Sequence, residues 1–95
     1  MSKEELQTIW QQSIDHYGKQ MQSIVCMEEC AELIQAISKK VREPTPFHGH
    51  LAEEMADVTI CLHLLKLMYG ITDKEIHDRV VAKTLRQAKR MEEES

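Results

Sequence analysis

Two hexapeptides in this sequence have the residue types and spacing to do chemistry. Glu28-Glu29-Cys30-Ala31-Glu32-Leu33 and Glu53-Glu54-Met55-Ala56-Asp57-Val58 each place acids at positions one, two and five. At roughly 100° per residue, such a trio on a helix falls within an arc of about 100°. A merely solvated acidic face tends to carry Lys or Arg four residues after Glu. Here Glu32 follows Glu28 and Asp57 follows Glu53, while Leu33, Ala36, Val58 and Cys61 follow the other four acids. Like-charge pairs at that spacing cost a few tenths of a kcal/mol even when exposed, and more when a second acidic helix faces them. A bound cation removes the penalty. Carboxylates with no histidine or thiolate at ligand spacing suit a hard ion, Mg²⁺ or Mn²⁺. A di-iron bundle would need Glu-x-x-His, which the sequence lacks. Magnesium sites are commonly completed by substrate phosphates, so the pattern points to phosphoryl chemistry, with a spare carboxylate to orient or deprotonate water.

Four helical segments are predicted to carry these patches. The first runs from an N-cap at Ser2, with Glu5 completing a capping box, to Tyr17, and Gly18 closes it. Leu6, Ile9, Trp10 and Ile14 recur along it at helical spacing. The second runs from about Lys19 to Arg42, with Lys39, Lys40 and Arg42 suiting its negative end, and stops at Pro44 and Pro46. The third begins near His48 to Leu51 and ends at Gly70. Beyond Asp57 it is apolar nearly all round, which predicts cover on more than one side, some of it from a partner subunit. The fourth starts at an N-cap, Thr72, with Glu75 three residues on, and runs to about Met91 before fraying into Glu92-Glu93-Glu94. The short connections predict one all-α domain over residues 1–95, an antiparallel four-helix bundle that assembles as a dimer or a dimer of dimers.

EExxE at Glu28, Glu29 and Glu32, followed by ExxD at Glu54 and Asp57, resembles the signature of the all-α nucleoside triphosphate pyrophosphohydrolases, the superfamily of MazG-type enzymes and dimeric dUTPases. The resemblance covers roughly residues 20 to 90. It implies that Glu29, Glu32, Glu54 and Asp57 bind the metal, and that Glu28 and Glu29 are the catalytic candidates. Glu53 lies outside the motif. The implied substrate is a nucleoside triphosphate, cleaved to the monophosphate and pyrophosphate. A related possibility is phosphoribosyl-ATP pyrophosphatase, whose apolar and histidine flavour Asp57 to Leu65 partly shares. A non-catalytic helical module binding a metal or a basic partner is the alternative from another class.

Supporting residues divide between function and packing. Arg79, Lys83, Arg86 and Arg90 form one basic stripe on the fourth helix. Lys83, Arg86 and Arg90 are the phosphate-binding candidates, by bidentate contacts where arginine is used; a solvated face is the other reading. Trp10 and Tyr17 are base-stacking candidates, set against core or interface packing. The loop from Glu43 to His50, which includes Phe47, is another element able to cap the site. Cys26, Cys30, Cys61 and His63 admit a zinc site, but small thiols in a reduced core are the preferred reading. His16, His48, His50 and His77 show no partner spacing.

Composition narrows the remaining classes. Three glycines, two prolines and a 4% aromatic content argue for long helices and against a β-rich core. A net charge of −4 argues against a general nucleic-acid binder. Three cysteines without a CxxC pair, and no signal-like N-terminus, predict a reducing cytoplasmic setting. The apolar run from Val58 to Met68 is interrupted by His63 and Lys66 and is too short to span a bilayer.

Overall fold

Capping chemistry sets where the helices begin. In the computed structural model, which describes residues 1–95, Ser2 Oγ accepts the Glu5 backbone N–H at 3.1 Å. Glu5 accepts the Ser2 N–H at 3.2 Å in return, and α1 runs Lys3–Tyr17. Thr72 and Glu75 repeat the arrangement at 3.1 and 2.9 Å and open α4, Asp73–Glu94. The predicted fraying after Met91 does not occur, and the helix continues to Glu94.

Gly18 alone joins α1 to α2, Lys19–Arg42, with φ 92° and ψ 152°, a backbone region open to glycine and strained for any other residue. Its N–H still closes α1 by donating to the Ile14 carbonyl at 2.8 Å. After α2 the two prolines turn the chain, and the Lys40 ammonium donates to the carbonyls of Thr45 and Phe47. The third helix, α3, spans Gly49–Tyr69 and ends on left-handed Gly70. Ile71 N–H reaches back to the Lys66 carbonyl at 3.1 Å in the manner of a Schellman cap. All regular structure is helical, and no helix is long and apolar enough to cross a membrane.

α2 and α3 lie antiparallel. Ser23 Oγ meets Tyr69 Oη at 2.7 Å near one end, and Cys26 Sγ lies 3.7 Å from the Cys61 carbonyl further in. At the other end Lys40 reaches the Phe47 carbonyl. α1 lies across both. Ile14 joins Cys26, Cys61 and Leu64 in the core, with Trp10, Leu65 and Met68 packed around it. Trp10 stacks on His63, ring centroids 4.4 Å apart, and Gln22 Nε2 donates to Ser13 Oγ.

Within one chain the packed unit is three helices, where four were expected. α4 has no buried residue and packs closely against none of the others; a 2.7 Å ion pair from Lys66 to Asp73 ties down only its first turn. The expected cover on α3 is correspondingly incomplete, and Ile60, Leu62 and Leu67 remain exposed. The accessible surface is 7653 Å², against about 5,700 Å² for a compact monomer of this 11.1 kDa mass. The radius of gyration, 16.5 Å, exceeds the roughly 12 Å of a compact domain of this length.

Candidate metal centre

The acidic hexapeptides meet across the antiparallel α2–α3 seam. Pairing Cys26 with Cys61 and Lys40 with Phe47 puts the turn holding Glu29 and Glu32 level with the turn holding Glu54 and Asp57. Glu29, Glu54 and Asp57 each present a carboxylate oxygen within 4.8 Å of the other two. Glu54 is 92% buried, since only 8% of its surface is accessible, while Glu29 and Asp57 are half-buried. One buried oxygen of Glu29 and one of Glu54 have no hydrogen-bond partner. Buried polar atoms are nearly always partnered, so two orphaned oxygens pointing into one acidic nest mark a place for a positively charged group.

Electrostatics agree. Burial raises the Glu29 carboxyl above its ordinary value, and the negative charges of Glu32, Asp57 and Glu54 add to the effect. Glu54 is raised in the same way, by burial first and then by Glu32 and Asp57, with His50 partly offsetting them. A divalent ion would remove both penalties, and an all-carboxylate donor set fits a hard cation.

The remaining sequence candidates are distributed unevenly. Glu32 is exposed; its charge reaches Glu29 and Glu54, but its oxygens stand outside the close trio. Glu28 and Glu53 are exposed as well. Lys83, Arg86 and Arg90 lie on α4, which its own chain leaves apart from the nest. Trp10 faces a cleft of about 450 Å³ shared with Leu6, His63 and Lys66, whereas Tyr17 is 62% exposed and touches His16 edge-on.

The core reading holds for Cys26 and Cys61 and fails for Cys30, which faces solvent. Cys26 and Cys61 are buried against one another. Burial, with Cys26 beside it, pushes the Cys61 thiol up to about 12, so it stays protonated and inert. The one grouping with metal-ligand geometry is the carboxylate trio. His50 is at the surface, as its lack of partner spacing suggests, but it stands in the first turn of α3, one turn before Glu54 and near enough to influence it.

The family model of the MazG nucleotide pyrophosphohydrolase domain matches residues 19–91, from the first residue of α2 nearly to the end of α4. The chain belongs to this family. No curated protein matches it, and no solved structure does. Membership points to the nucleotide pyrophosphohydrolase class of hydrolases, and α1 stands outside the matched region.

Proposed function

We propose that this MazG-family chain hydrolyses nucleoside triphosphates to the monophosphate and pyrophosphate, with Mg²⁺, or Mn²⁺ in its place, held between α2 and α3. The observation that carries the reading is the convergence of Glu29, Glu54 and Asp57, with an orphaned buried oxygen on each glutamate. Those three residues would hold the ion, with Glu32 joining from the exposed side of α2. A bound ion supplies charge to the phosphate oxygens and lowers the pKa of coordinated water.

The chain's own groups do the rest. Glu28, exposed one position before Glu29, is the carboxylate left to orient or deprotonate the attacking water, with Glu29 beside it. Water adds at the α-phosphorus, the bond to the bridging oxygen breaks, and pyrophosphate departs. On α4, Lys83, Arg86 and Arg90 share an arc of about 60°, flanked by the exposed apolar residues Ile76 and Val80. Docking that apolar flank on a second copy would bring the basic arc to the copy's nest, which makes the working unit a homo-dimer or homo-tetramer. Of the two aromatic candidates Trp10 is better placed for a nucleobase, since it already lines a cleft.

The test is pyrophosphate release from a panel of ribo- and deoxynucleoside triphosphates and phosphoribosyl-ATP, with and without Mg²⁺, beside an Asp57→Asn control. Metal-dependent release that the variant loses is the expected result. Turnover of phosphoribosyl-ATP far above every common nucleotide would replace the substrate. A folded protein that gains stability from metal but releases nothing would be the non-catalytic module.

A further inference from the structure

The nest does not end at Glu54. On α2, Gln35, Lys39 and Arg42 follow Glu32 at steps of three, seven and ten, which continues the same face of the helix toward the loop. On α3, His50 lies one turn, about 6 Å along the axis, before Glu54. Gln35, Ser38, Lys39, Arg42 and His50 line one open cleft of about 450 Å³. Lys39 and His50 also line a neighbouring one beside Phe47. The seam therefore changes sign within two helical turns, from a carboxylate trio to a cationic cleft.

The basic side chains of this cleft are not consumed by ion pairs. The chain's ion pairs are Lys66 with Asp73 and Lys74 with Asp78, so Lys39, Arg42 and His50 make no direct ion pair, although the influence of His50 reaches Glu54 one turn away. Glu43 lines the neighbouring cleft without pairing to them. Arg42 spends one donor, Nε, on the Ser38 carbonyl of its own helix at 3.3 Å, which leaves its terminal nitrogens free. Lys40, by contrast, is held by two loop carbonyls. Complementing the negative end of α2 accounts for basic residues in its last turn. It does not account for His50, which stands on the other helix and closes the cleft from the opposite side.

We infer that Lys39, Arg42 and His50 form the seat for the terminal phosphates of the substrate, continuous with the carboxylate nest. This rests on the hydrolase reading above and adds a direction to it. The leaving pyrophosphate lies toward the α2–α3 loop, and the nucleoside lies on the opposite side, toward α1. The seat also gives a reason for preferring triphosphates: a monophosphate held at the nest would leave the cleft's positive charge unused. Guanidinium and ammonium groups suit phosphate oxygens through charge-assisted hydrogen bonds.

The experiment is calorimetric titration of the full-length chain with inorganic pyrophosphate in the presence of Mg²⁺, and with Mg²⁺ alone. It compares the wild type with Lys39→Gln/Arg42→Gln, His50→Gln and Lys83→Gln/Arg86→Gln. All these positions are exposed, and unchanged melting verifies folding. The cleft double variant is expected to lose about tenfold or more in pyrophosphate affinity, the size of lost charge-assisted contacts, with Mg²⁺ affinity unchanged. Its KM for triphosphate should rise more than its kcat falls, and Lys39→Arg should retain most of the wild-type affinity. Wild-type affinity in the cleft double variant, loss confined to the α4 variant, or no pyrophosphate binding by the wild type would each overturn the assignment. Cleft-dependent pyrophosphate binding without nucleotide turnover would sink the hydrolase reading and keep the seat. Turnover with a dispensable cleft would do the reverse.

Discussion

Glu29 and Glu54 hold protons more tightly in the folded chain than a carboxyl ordinarily does, because burial and neighbouring charge disfavour the ionised form. Raised folded values mean that the native state binds more protons than the unfolded one. Below the ordinary value of 4.5 both states are protonated and the nest costs little. As pH climbs from there through the folded values, charge accumulates in the nest and stability falls. Asp73 has the opposite sign, lowered by its hydrogen bond to Lys66, and its contribution is lost only as pH drops below the ordinary 3.8. The window between pH 5 and neutrality is shared by the nest and by His63, whose pKa burial lowers from the ordinary 6.5 and which therefore favours the higher pH. Measured against Glu54→Gln, in which His63 is unchanged, the metal-free wild type should lose melting temperature between pH 5 and pH 7.5, and Mg²⁺ should shrink the difference. Glu54→Gln should melt above the wild type at pH 7.5 in chelator and gain almost nothing from Mg²⁺. Scanning fluorimetry across pH checks both, and a metal-free wild type that gains stability relative to Glu54→Gln as pH rises would contradict the account of the nest.

At the scale of the helix, the sequence was informative wherever the chain is punctuated. Ser2 with Glu5, Thr72 with Glu75, Gly18, Pro44 and Gly70 marked the element ends within a residue or two, because capping and φ restrictions are local. Orientation around the axis was less legible. Glu28, Glu29 and Glu32 fit one arc, and nothing local says which of them faces α3; the structure turns Glu29 inward and leaves Glu32 exposed. His50 went unrecognised for a related reason, since its relation to Glu54 depends on where α3 starts after the proline loop. Gly18 gives the sharpest test at this scale. Placing a Cβ at φ 92° should cost about 1–3 kcal/mol, so Gly18→Ala should lower the melting temperature by at least about 4 °C. A thermal melt at wild-type stability would mean that the α1–α2 link relaxes freely.

For the whole molecule, the surface sets the expectation. Its excess over a compact monomer, roughly 2,000 Å², is larger than the ~800 Å² that each partner contributes to a standard interface. Val81 and Leu85 of α4 are 43% and 66% exposed with no intrachain partner helix. The short connections predict a four-helix bundle inside one chain, but loop length cannot say whether α4 packs on its own chain or on a second copy. Light scattering after size exclusion should give a dimer or tetramer at micromolar concentration. Leu85→Glu should shift it toward monomer, with a melting temperature that no longer rises with protein concentration. A wild-type monomer with a sharp, concentration-independent melt would rule out this assembly.

Trp10 is the only tryptophan, and it lies flat on His63 with an interplanar angle of 12°. That contact gives the molecule a built-in optical probe. Indole emission is quenched by a protonated imidazole stacked on it and shifts in wavelength when the ring leaves an apolar surface. Burial, and then Lys66, lower the His63 pKa, so at neutral pH the imidazole is uncharged and the emission bright. Any event that lifts α1 off α3 can therefore be timed from the unlabelled protein by its own light.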